Sequence, residues 1–137
     1  MEPQTRKMKV LIVEDDEASR QFMTTLVGDE GYEVAAAGNG AEGLKSFETF
    51  QPDLVFSDIS MPVMDGLEML EKIRKQSYDA VVVMTTAFGT AEFTLKALRL
   101  RANDFLVKPL LPQDVLAILK KYQDYLPPAR WSAKYLA

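Results

Sequence analysis

The chain has 137 residues, 47% of them hydrophobic, which suits one domain with a core of its own; its formal net charge of -4 argues against nucleic acid as a direct partner. It contains no cysteine and no histidine, so disulfides, thiol chemistry, a histidine nucleophile or base, and histidine-ligated zinc are all excluded. No apolar run approaches the roughly 18 residues of a membrane span, and the first residues, MEPQTRKMK, lack the apolar centre of a signal peptide. The absence of cysteine fits a reducing compartment, so a cytoplasmic location is expected.

Residues 1–7 read as an N-terminal extension. MKVLIV (8–13) is an apolar run of strand length, followed by a helical stripe of Ala18, Phe22, Met23, Leu26 and Val27. YEVAAA (32–37) is the second strand, and Ala41, Leu44 and Phe47 mark the second helix. DLVFS (53–57) precedes the stripe Leu67, Leu70, Ile73. AVVVM (80–84) precedes Ala91, Leu95, Leu98, and DFLVK (104–108) precedes Val115, Ile118, Leu119 and Tyr122. Gly40, Gly66 and Gly89 punctuate strand-to-helix turns, and Pro112 suits the first turn of the last helix. Strands apolar on both faces belong in a parallel sheet covered by helices. Five strands alternating with five helices predict an open α/β sheet with right-handed crossovers. Residues 8–126 form this domain. Pro127-Pro128 ends the last helix, leaving 127–137 as a tail or the start of a linker to an output region. Trp131 and Tyr135 are spaced to share a helical face. With Leu136 they predict docking of the tail on its own domain or on a second copy, which would make a homodimer.

Ligands of open parallel sheets bind beyond the C-terminal strand ends. There the first strand delivers Glu14-Asp15-Asp16, the third Asp58, the fourth Thr85-Thr86 and the fifth Lys108-Pro109. If the first and third strands are neighbours, three or four carboxylates converge opposite one lysine and one hydroxyl. Converging carboxylates repel, and a hard divalent cation relieves them. Magnesium suits such oxygen ligands. A carboxylate faced by a lysine can also act as a nucleophile on phosphorus, giving an aspartyl phosphate. Lys108 would neutralise phosphoryl oxygens and Thr86 could donate a hydrogen bond. Met61-Pro62 and Asp65-Gly66 would shape the loop behind Asp58 so that the Ser60 carbonyl faces the metal.

LIVEDD, SDISMPVMDG, MTTA and FLVKP together resemble the receiver domains of two-component response regulators, over about residues 8–125. The resemblance implies a doubly wound, flavodoxin-like sheet of order 2-1-3-4-5. It implies phosphotransfer onto Asp58 from a sensor histidine kinase or a histidine phosphotransfer protein, and control of a downstream output domain or protein. It implies a magnesium ion held by Asp15, Asp58 and the Ser60 carbonyl, with Glu14 acting through water. Thr86 and Phe105 match the switch pair, Lys108 the phosphate-binding lysine, and Pro109 a proline that commonly follows a cis bond. Ser60 and Phe88 stand where hydrolysis of the phosphoryl group is tuned. Arg101 replaces a usual glycine before the fifth strand, and Phe105 a frequent tyrosine.

Three other readings compete. An aspartyl-phosphate phosphatase resembling the haloacid dehalogenase group needs a second acid two residues after the nucleophile, and Ser60 stands there. A flavodoxin-like mononucleotide binder would not place three acids where a phosphate must sit. A receiver-shaped module that is never phosphorylated would have no need of the full set of acids, threonine and lysine. The chain is therefore expected to be a signalling phosphoacceptor rather than an enzyme with a turnover substrate, and to bind neither membrane nor nucleic acid.

Overall fold

The computed structural model describes residues 6–77, 79–87 and 91–124. In chain order the elements are β1 (Lys9–Val13), α1 (Glu17–Asp29), β2 (Glu33–Ala37), α2 (Gly40–Phe50), β3 (Leu54–Asp58), α3 (Gly66–Gln76), β4 (Val81–Thr86), α4 (Ala91–Arg99), β5 (Asp104–Val107) and α5 (Pro112–Gln123). All strand pairs are parallel, and the sheet order is β2-β1-β3-β4-β5. The order reverses direction beside β1. The β1–β3 crevice is therefore the switch point where such sheets bind ligands.

Strand alternation divides the core in two. Leu11, Val13, Val55, Val82 and Met84 pack on the side of α2, α3 and α4 with Phe47, Met69, Leu70 and Ile73. Val10, Ile12, Leu54, Phe56 and Val83 pack on the side of α1 and α5 with Met23, Val27, Val115, Ile118 and Leu119. Both faces are buried, which is why the strands read as continuous apolar runs. Pro112 opens α5 as the sequence suggests.

Two helical stripes differ from expectation. On α1, Met23 and Val27 are buried, whereas Ala18 is exposed and Phe22 is 42% exposed. On α4, Leu95 and Leu98 are exposed, and the helix packs instead through Phe93 and Ala97, with Leu100 just past its end. Each helix carries more than one apolar stripe of the right period, and the period alone does not say which one meets the sheet.

Arg74 knits the end of α3 to the loop before β5. Its guanidinium, on a residue only 6% exposed, donates to the carbonyls of Ser77, Ala80 and Arg101 and to Asn103 Oδ1, at 2.7–3.3 Å. Arg101 takes the left-handed conformation at φ 66 that a glycine would adopt freely. The turn thus keeps its shape without glycine, and the Arg101 carbonyl that this exposes is the one Arg74 holds.

Candidate phosphoacceptor and metal site

The C-terminal edge of the sheet gathers the acids. β1 ends at Val13, so Glu14 and Asp15 follow directly in the crevice, and Asp58 is the last residue of β3. Glu14 is 5% exposed and Asp58 8%, while Asp15 lies open to solvent. One carboxylate oxygen from each of Glu14, Asp15 and Asp58 lies within 4.8 Å of the other two. Asp16 joins only through its backbone amide, which donates to Glu14 Oε2 at 3.1 Å. It caps α1, accepting from the Ser19 amide at 2.8 Å, and that bond holds its carboxyl below the usual carboxylate range. Three acids converge, and the fourth serves the helix.

The cation opposite them is Lys108. Its Nζ donates to Glu14 Oε1 at 2.5 Å and to Asp58 Oδ2 at 3.1 Å. Burial works against the ammonium, but the bonds and charges of these two carboxylates outweigh it and hold Lys108 above its ordinary value. Asp15 has no such bond. Its partial burial and its shared hydrogen bond with the neighbouring Glu14 carboxylate push it upward. Three converging acids, two of them buried, are under-compensated by one lysine, and their donors are all hard oxygens. The residues therefore fit a divalent cation.

The loop after Asp58 is braced from two sides. A Cβ on Gly66 would lie 2.1 Å from the Asp58 carbonyl oxygen, and one on Gly40 would lie 2.3 Å from that of Met64, so both approaches require glycine. The Gly66 amide bonds the Ile59 carbonyl at 2.8 Å, the Gly40 amide bonds that of Met64 at 3.0 Å, and Asp65 caps α3 through the Glu68 amide. Pro62 accepts from the Met64 amide at 2.8 Å, which turns Val63 to φ 69, a strained conformation for a β-branched residue. The carbonyls of Ile59, Pro62 and Met64 are thus engaged, while among the described residues that of Ser60 accepts no hydrogen bond. The loop answers to α2 as much as to β3. The sequence reading took Gly40 as a turn former alone and missed its contact with Met64, which is long-range and leaves no local signal.

The other expected residues fall as follows. Thr86 ends β4, 2% exposed, one residue past Thr85, which is the register partner of Asp58. Its carbonyl accepts from the Lys108 amide at 2.7 Å. Phe105 is half-buried on β5, opposite Met84, and packs on the α2-α3-α4 side of the core. The Lys108-Pro109 peptide is cis. Phe88 and Gly89 lie outside the described residues, as do Trp131, Tyr135 and Leu136. Arg20 was missed as a support of the site. Its guanidinium donates to the Glu14 carbonyl at 2.9 Å. The signal available was a cation close to a helix N-terminus, where the dipole disfavours it unless acids lie nearby.

Residues 10–120 match the response regulator receiver domain family. The chain is 40% identical over 115 residues to the chemotaxis protein CheY of Listeria monocytogenes, covering 83% of this chain and 97% of that protein. It is 37% identical over 124 residues to the probable C4-dicarboxylate response regulator DctR of Bacillus subtilis, covering 88% of this chain but 54% of that protein. Among solved structures, a CheY-like receiver domain protein from Methanospirillum hungatei superposes with a TM-score of 0.84 at 32% identity, covering 88% and 96% of the two chains. The chain thus spans nearly all of the chemotaxis relative and about half of DctR. With the acidic trio and its lysine at the switch point of a 2-1-3-4-5 sheet, this chain belongs to the response regulator receiver domain family.

Proposed function

We propose that this receiver accepts a phosphoryl group on Asp58 from the phosphohistidine of a sensor histidine kinase or a histidine phosphotransfer protein. An Asp58 carboxylate oxygen attacks phosphorus, the phosphorus–nitrogen bond breaks, and the imidazole nitrogen leaves with its electron pair. The observation that carries this reading is the bridging of Glu14 and Asp58 by Lys108. As Asp58 becomes an acyl phosphate its carboxylate charge is lost, and the ammonium, already at the attacking group, would turn to the incoming phosphoryl oxygens with little reorganisation. Glu14, Asp15, Asp58 and the Ser60 carbonyl would hold Mg²⁺, which when bound supplies positive charge to the phosphoryl oxygens.

Thr86 and Phe105 form the proposed switch, with Thr86 donating to the phosphoryl group and Phe105 turning inward behind it. The elements α4, β5 and α5 would carry the change to an output domain or protein. The exposure of Leu95, Leu98, Val107 and Leu111 on and between these elements supports that surface as the one partners read. Ser60 and Phe88 would tune hydrolysis of the acyl phosphate. We place the protein in the cytoplasm, where such donors act; among the described residues no helix is long and apolar enough to cross a membrane.

The test is labelling with acetyl phosphate and Mg²⁺, read by intact-protein mass spectrometry. The wild type should gain one phosphoryl group, and Asp58→Asn should gain none. Unchanged acyl phosphate in the variant would overturn the assignment of Asp58. No label on the wild type would instead favour a receiver-shaped interaction module.

A further inference from the structure

α1 carries a mixed stripe on its outer flank, from which only Leu26 also reaches the core. Ala18, Gln21, Phe22, Thr25, Leu26 and Asp29 line a hollow of about 510 Å³ there. All six lie at helical spacing on one side of α1, and Phe22 is 42% exposed at its centre. With Phe22 at hand and mostly apolar surface lining it, the hollow suits a large apolar side chain.

The end of α5 delivers the chain to this place. Gln123 donates to the Arg6 carbonyl at 2.6 Å and accepts from the Met8 amide at 2.9 Å. Between them, Lys7 donates to the carbonyl of Glu30, the residue that caps the end of α1. The last turn of α5 is therefore tied, through residues 6–8, to the end of the stripe where Asp29 stands. Thirteen residues, 125–137, follow Asp124. Pro127 and Pro128 stand among them, and a proline lacks the amide that an α-helix interior needs.

Length and chemistry both match. The stripe from Ala18 to Asp29 is about 16 Å long at a helical rise, and thirteen residues span at least that even if wound into a helix. The segment holds Tyr125, Leu126, Trp131, Tyr135 and Leu136 as its large apolar groups. It also holds two cations, Arg130 and Lys134, and no acid. The near end of the stripe presents Asp29 and, beside it, Glu30, both exposed.

We propose that residues 125–137 fold back along α1 and place Trp131 in the hollow around Phe22, with Arg130 beside Asp29. The receiver thereby covers its own α1 flank with its own C-terminal segment.

Trp131 is the only tryptophan, so its emission reports this contact alone. In the full chain its emission should be shifted to the blue, and be less open to acrylamide quenching, relative to a free peptide of residues 125–137. The shift should not change on serial dilution. Phe22→Glu should return the emission to the peptide's value while leaving the far-ultraviolet circular dichroism unchanged. Thr25→Arg, at an exposed position, should do the same and serves if Phe22→Glu folds poorly. Asp29→Arg should weaken protection, and adding Arg130→Asp should restore it. Peptide-like emission in the intact chain would overturn the proposal. So would a blue shift insensitive to both Phe22→Glu and Thr25→Arg, which would place Trp131 elsewhere. A shift that grows with protein concentration would make the occupant a second copy and would equally refute it.

Discussion

The Lys108 ammonium lies 3.1 Å from Asp58 Oδ2, although the two residues are fifty positions apart in the chain. Two parallel strands, β3 and β5, with β4 between them, bring each to the same edge of the sheet. The same ammonium also holds Glu14, so one cation spans the switch-point crevice. A site with three acids depends on that cation whenever no metal is bound.

Lys108→Met should therefore destabilise the metal-free protein, by roughly 1–3 kcal/mol, because it leaves buried carboxylates facing one another without a counter-charge. Mg²⁺ should recover part of the loss. Urea unfolding of both proteins, with and without Mg²⁺, checks this. An equal response of the two to Mg²⁺ would show that Lys108 and the cation do not share one electrostatic task.

Arg74→Met should cost about 3 kcal/mol or more, since it strips a donor from the buried carbonyls of Ser77 and Ala80 and from that of Arg101. Arg74→Lys should recover little, because an ammonium cannot fork to acceptors on two loops. Urea midpoints measure both. A near-neutral Arg74→Lys would mean that charge, not geometry, holds the α3 end to the β5 approach.

Asp104 sets part of the acid limit. Burial would raise its carboxyl, but hydrogen bonds from Tyr122 at 2.7 Å and Lys121 at 3.0 Å overcome burial and hold it below the usual carboxylate range. A depressed folded pKa gives stability that is present above the ordinary carboxylate value and lost as pH falls through the lower folded value. Asp104→Asn should be less stable than wild type at neutral pH, and the two should converge in acid. Unfolding midpoints across that range test the sign, and a gap that persists unchanged in acid would rule out the ionic origin.

Thr86→Ala should leave acetyl phosphate labelling of Asp58 largely intact and disconnect it from Phe105. In the proposed switch the hydroxyl would donate to the product, not to the attacking oxygen, so chemistry should survive while coupling fails. NMR shifts around Phe105, compared before and after phosphorylation in both proteins, give the answer. Equal responses would remove Thr86 from the switch.

Much of this molecule was determined locally and is legible in the chain itself. Strand runs such as LIV and LVF, and Pro112 at the start of α5, act through nearest neighbours, so they declare element type and order without a partner. The acids after β1 and at the end of β3, and the Lys-Pro after β5, are legible for the same reason, because a residue at a strand end is delivered to a known edge of a parallel sheet. Tertiary packing decided the rest. Asp16 had two uses open to it, and the α1 amides claimed it as a cap. α1 and α4 each offered more than one apolar stripe, and contact with the sheet chose Met23 and Val27 on one and Phe93 and Ala97 on the other, leaving Phe22, Leu95 and Leu98 outside. Arg74 reads as an ordinary helix cation, yet it is buried because the carbonyls of Ser77 and Ala80 just after its helix and that of Arg101, 27 residues away, close around it. Such choices compare free energies of contacts between segments far apart in the chain, and no local pattern of residues contains that comparison.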